Sequence, residues 1–66
     1  MKKKYEPMMR LKLKRVEKGL TQKELADIVG IGQGFISDYE TGRYFPRKST
    51  LDKLAEALGC EVKDLL

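Results

Sequence analysis

Histidine and tryptophan are absent from this 66-residue sequence, and cysteine occurs once, at Cys60. A single thiol excludes an internal disulfide, and without histidine the usual zinc ligand sets cannot be assembled, so no metal and no cofactor are expected. Cys60 reads as a small core residue suited to a reducing compartment. No run of eighteen apolar residues occurs, and Met1 to Lys4 lead into Tyr5, Glu6 and Pro7 rather than into an apolar stretch. Neither a membrane span nor a signal peptide is therefore expected, and the chain reads as soluble and cytoplasmic. Enzymatic chemistry is poorly supplied too: there is no carboxylate pair, no phosphate-binding glycine loop and no nucleophile with a base beside it. A chain this short buries only about 60% of the surface its unfolded form exposes, so packed helices must carry the fold.

Charge is present and unevenly spread. The formal net charge is +4. Residues 1–18 carry an excess of six positive charges and residues 43–50 an excess of three, whereas 19–42 and 51–66 are net negative. Positive charge therefore sits at the start and in the segment after a glycine-rich stretch, a distribution that suits an anionic partner. Lys2, Lys3 and Lys4 form a basic arm that either stays solvated or seeks phosphate.

Helical periodicity divides the rest of the chain, with no repeat, low-complexity tract or second domain. Met8 to Lys18 reads as a first helix after Pro7, with Gly19 as its stop. Met9, Leu13 and Val16 share one face of it, while Leu11 lies nearly opposite beside Arg15, so one of these faces is outside the core. Thr21 and Glu24 form a capping box ahead of Leu25 and Val29, predicting a second helix over 22–29 that Gly30 terminates. Gly32 stands where a new N-cap is needed, and 33–41 follow as a third helix with Ile36 and Tyr39 inward and Gly42 at its end. Two short helices joined by about three residues form a crossed pair, the helix-turn-helix. Pro46 marks a loop, Ser49 with Asp52, or Thr50, predicts the cap of a fourth helix carrying Leu51, Leu54, Ala55 and Leu58, and Glu61 to Leu66 supply a last turn with Val62, Leu65 or Leu66 on the core.

The segments GLTQKELADIVGI, ISDYETGRYFP and LDKLAEALGCEVKDLL stand in register, with Thr21, Gln22, Leu25, Ala26, Gly30, Ile36, Glu40, Gly42, Pro46, Ala55 and Leu58 at their expected places. In these segments the chain resembles, from Leu11 to Leu66, the small helix-turn-helix regulators of the phage repressor and Cro type, the XRE-like family. The resemblance implies an all-α fold: a compact five-helix bundle of the lambda repressor-like kind, residues 8–66, behind a basic N-terminal arm, residues 1–7. It implies that the third helix enters the major groove of double-stranded DNA. Base contacts then fall to Gln33, Gly34, Ser37 and Asp38, and phosphate contacts to Gln22, Arg43, Tyr44 and Arg47. Arg15 and Glu40 occupy the places of a structural ion pair.

Physical chemistry gives several of these residues a reason of their own. Helix N-termini offer free amides and partial positive charge to phosphate oxygens. Glutamine pairs with adenine through N6 and N7, which makes Gln33 the best candidate for direct readout. At Gly34 the missing side chain either permits close approach to a strand or marks a tolerant position. Departures from the family pattern stand beside the agreements. Asp38 is acidic where a groove-facing residue is usually polar or basic, so it accepts from cytosine N4, faces solvent, or pairs with Arg43. Lys14 and Lys48 occupy places that are often apolar in relatives, and Leu13 and Ile28 are apolar where polar residues are common. Met9, Leu13 and Val16 either pack under the arm or form a subunit contact. The function expected is sequence-specific transcriptional regulation, as a repressor that binds a palindromic operator as a homodimer, with no membrane and no small-molecule effector as partner. An antitoxin, or a protein-binding module on the same scaffold, is the alternative.

Overall fold

The local signals explain where each helix begins and ends in a computed structural model that describes residues 4–66. Lys2 and Lys3, part of the predicted arm, lie outside the described residues. Four α-helices follow in chain order: α1 (Met9–Glu17), α2 (Gln22–Val29), α3 (Gln33–Thr41) and α4 (Lys48–Leu58). The capping box of α2 is complete, with Glu24 N donating to Thr21 Oγ1 at 3.0 Å and Thr21 N donating to the Glu24 carboxylate at 2.9 Å. The bounds of α1 differ by one residue at each end from those read in the sequence, as expected where helices fray.

Two expectations are corrected. The bundle has four α-helices rather than five, because the last segment closes as a single 3-10 turn at Val62–Asp64. Glu61 N donates to Asp64 Oδ2 at 3.0 Å, and this short clasp, with Val62 and Leu65 at the three-residue spacing of a 3-10 turn, completes the segment. Leu65 is buried there and Leu66 is exposed. The start of α4 also differs: Arg47 is the N-cap residue and makes no side-chain capping bond, so Ser49 and Thr50 already lie inside the first turn. The chain leaves the buried Pro46 through an extended Arg47, and Lys48 begins the helix with its ammonium 3.3 Å from Asp52.

One core joins all four helices and the final turn. Leu11, Leu25, Ile36, Leu54, Leu58 and Leu65 are fully buried, each worth about 1.5–3 kcal/mol of transfer free energy. Tyr39, Leu51 and Ala55 complete the inward faces of α3 and α4. Cys60 is half-buried against this cluster, and burial is the main cause that pushes its thiol pKa up, with Asp64 adding to it.

The described part of the arm is tied to the end of α3. Tyr5 N donates to the Gly42 carbonyl at 2.8 Å, and Met8 N donates to the Tyr39 carbonyl at 3.1 Å. Gly42 is required twice over at this point. Its φ of +86° is left-handed, and a Cβ would run into the Tyr5 carbonyl oxygen.

Candidate nucleic-acid interface

A three-residue corner sets the direction of α3. Gly30, at φ +84°, ends α2 with its N–H on the Ala26 carbonyl, and Gly32 takes the N-cap position of α3 with an extended backbone. Neither residue adds bulk at the corner, while Ile31 between them packs against the core. No side chain caps α3, so its first amides keep their partial positive charge open to an incoming acceptor.

Helical spacing then sorts the residues of α3. Ile36, Tyr39 and Glu40 are buried. Gln33 and Gly34 are exposed and Ser37 and Asp38 half-buried, which puts all four on the side turned away from the core. No atom lies within 4 Å of the place where a Cβ on Gly34 would stand. Phe35 is 53% exposed beside Gly32, its ring centroid 6.4 Å from that of Tyr39, so it covers the edge of the core without entering it.

A buried polar cluster holds this face in place. Arg15 Nε donates to Glu40 Oε2 at 2.6 Å and Nη2 donates to Oε1 at 3.1 Å, a two-pronged pair that fixes α1 to α3. A third nitrogen, Nη1, donates to the Leu20 carbonyl at 2.7 Å and so secures the loop before α2. Gln22 Nε2, from the first turn of α2, donates to Glu40 Oε1 at 3.1 Å. Arg15 and Glu40 are 8% and 6% exposed, and burying such a pair is tolerable only when its hydrogen bonds are met. No buried side-chain nitrogen or oxygen among the described residues lacks a partner. The hydrogen bond to Glu40 raises the Arg15 pKa further above its already high ordinary value, so the guanidinium is always charged.

The loop after α3 brings one cation, Arg43, beside Asp38. Arg43 is exposed, with Nε 3.7 Å from Asp38 Oδ1, and its backbone N–H donates to the Asp38 carbonyl at 2.9 Å. Asp38 and Arg43 thus stand as neighbours rather than as separate features. Tyr44 is exposed in the same loop. Arg47 stands apart from these, in a shallow groove of about 310 Å³ shared with Phe35, Tyr39, Ser49, Thr50 and Lys53. Burial is the main cause that raises the Tyr39 pKa, while the charge of Arg47 pulls it the other way. Two cations, two hydroxyls and a phenol converge there. Sequence reasoning did not join Ser49, Thr50 and Lys53 to this set, because it read RYFPRK as a loop and Ser49 or Thr50 as a helix cap, with no view of the groove they share with Phe35 and Tyr39.

The chain matches the family model described as helix-turn-helix over residues 11–65. It is 39% identical over 57 residues to the immunity repressor protein of Bacillus phage phi105, covering 86% of this chain and 40% of that protein. Over 49 residues it is 49% identical to multiprotein-bridging factor 1 of Candida albicans, covering 74% of this chain and 32% of that one. It therefore spans less than half the length of both relatives. Among solved structures, the restriction-modification controller protein C.AhdI from Aeromonas hydrophila superposes with a TM-score of 0.83 at 33% identity, over 88% of each chain.

Proposed function

The chain belongs to the helix-turn-helix family, of the phage repressor and Cro type, and from that premise we propose that it is a sequence-specific DNA-binding transcriptional regulator. In this reading it is a cytoplasmic repressor that binds a palindromic operator as a dimer. The observation that carries it is the leading end of α3: uncapped, small at Gly34 and exposed at Gln33, yet anchored from beneath through Glu40. A surface meant to read base edges must be both accessible and rigid, since recognition by paired hydrogen bonds tolerates little displacement.

Roles divide by chemistry. Gln33 reads a base edge with its amide, and Gly34 lets the backbone approach the groove wall. Ser37 lies one turn further on, within reach of the neighbouring base pair. Asp38 is the departure, and its place beside Arg43 supports a role in setting that guanidinium as well as in accepting from cytosine. Phosphate contacts fall to Gln22, Arg43, Tyr44 and Arg47, with Ser49, Thr50 and Lys53 extending the last of these. Such contacts fix register without reading sequence. The immunity repressor and the restriction-modification controller are regulators by name, which supports the same assignment here.

Gln33→Ala tests the reading. On the preferred operator it should cost about 1–3 kcal/mol and relax selectivity at one base pair, while binding to unrelated DNA is unchanged. Equal weakening on every sequence would contradict a base-reading role.

A further inference from the structure

The ring of Tyr39 belongs to the core and the residue is 7% exposed, but its hydroxyl stands apart. That oxygen bonds to none of the described residues, and since no buried side-chain oxygen among them lacks a partner, it must open to the surface. Tyr39 meets the surface in the groove it shares with Phe35, Arg47, Ser49, Thr50 and Lys53. Burial raises the pKa of the phenol, which keeps it protonated and able to donate.

The cations of this groove are unpaired as well. Five follow α3, and three of them are matched to a carboxylate: Arg43 lies 3.7 Å from Asp38, Lys48 3.3 Å from Asp52 and Lys63 3.4 Å from Glu61. The other two, Arg47 and Lys53, pair with no carboxylate among the described residues, and both line the groove. No acidic side chain lines it; Lys53 stands on the ridge between it and a neighbouring groove that Glu56 borders. Hydroxyls follow the same division. Thr21 and Thr41 use theirs within the fold, whereas those of Ser49 and Thr50 are uncommitted beside the open first amides of α4, which no side chain caps.

We propose that this groove is a phosphate site, in which the Tyr39 hydroxyl, Arg47, Lys53 and the hydroxyls of Ser49 and Thr50 surround a single phosphate group. A free guanidinium presents a fork of N–H donors matched to phosphate oxygens, and the lysine adds a point charge. The first turn of α4 supplies amides and partial positive charge to the same group. The rings of Phe35 and Tyr39 make the wall behind it apolar, which strengthens each polar contact. The group is a phosphodiester of bound DNA or a free phosphate ion. The first source rests on the function proposed above and the second does not. Tyr39 lies on α3 itself, so a backbone phosphate held here ties that helix directly to the strand, where Arg43 and Tyr44 tie the loop behind it.

The test uses the full chain, with inorganic phosphate and a duplex of unrelated sequence as probes at fixed ionic strength. Tyr39→Phe keeps the ring and removes the oxygen, and should weaken binding of one probe or both by about tenfold. Lys53→Gln should weaken the same probe. A loss on every duplex assigns the DNA backbone, and a loss on phosphate alone assigns the free ion. Because the hydroxyl has no partner in the fold, Tyr39→Phe should melt no lower than the parent; a fall would show that it has one and would overturn the proposal. Unchanged affinity for both probes in Tyr39→Phe would also overturn it, even if Lys53→Gln binds less well, since any surface lysine could produce that loss. These outcomes do not depend on Gln33→Ala, so the phosphate site and the base-reading role can fail separately.

Discussion

Gly34 stands alone among the α3 residues in having a cost and no structural return. It lies within a helix, its missing Cβ would meet no atom within 4 Å, and glycine there is about 1 kcal/mol less favourable than alanine. Gly34→Leu should therefore leave the melting temperature equal or higher while reducing DNA affinity. A loss of fold would mean that the glycine serves the backbone alone. Glu40 presents the opposite case. Truncation to alanine would strand the Arg15 guanidinium in a buried site and remove the acceptor of Gln22. Breaking a buried pair from one side typically costs about 3–5 kcal/mol, so Glu40→Ala should lower the urea midpoint accordingly. A loss below about 1 kcal/mol, the range of a surface pair, would show that the cluster is not what holds α3.

Between α2 and α3 the sequence states its structure openly, whereas the two ends of the molecule do not. Thr21 with Glu24, then Gly30 and Gly32, mark the bounds of both helices, because capping and left-handed stops depend on residue type. The start of α4 misleads for the same reason: Ser49 and Thr50 are good cap residues, but Arg47 is the N-cap and the helix has already begun at Lys48. A fifth helix was expected from resemblance, while the residues themselves spell only one turn, with Leu65 buried and Leu66 exposed. The seating of the arm was not legible, since the bonds from Tyr5 and Met8 to α3 are between backbones and have no side-chain signature. Gly42 is the one residue that reports them. Gly42→Ala should cost more than the usual ~1–2 kcal/mol of a left-handed alanine, since it also displaces Tyr5, and denaturant unfolding would read the difference. The candidate interface was legible on α3 and in Arg43, but not in the groove that joins Phe35 and Tyr39 to Arg47 and Lys53, which forms only when the folded chain brings residues of α3 and of the start of α4 to its two walls.

Taken whole, the molecule separates its surfaces by charge and by polarity. Exposed Arg43, Arg47 and Lys48 follow α3, while the exposed apolar residues Met9, Leu13 and Val16 share one face of α1. Among the described residues no helix is long and apolar enough to cross a membrane, and no cluster of residues is suited to hold a metal ion. In the proposed function the leading end of α3 reads base pairs in the major groove, twice over in a dimer. Selection of bound duplexes from a random pool at fixed salt tests it most directly. It should enrich inverted half-sites whose centres lie about 34 Å, one helical turn, apart, with affinity that falls steeply as salt rises. Recovery of no common sequence, or binding indifferent to salt, would contradict it.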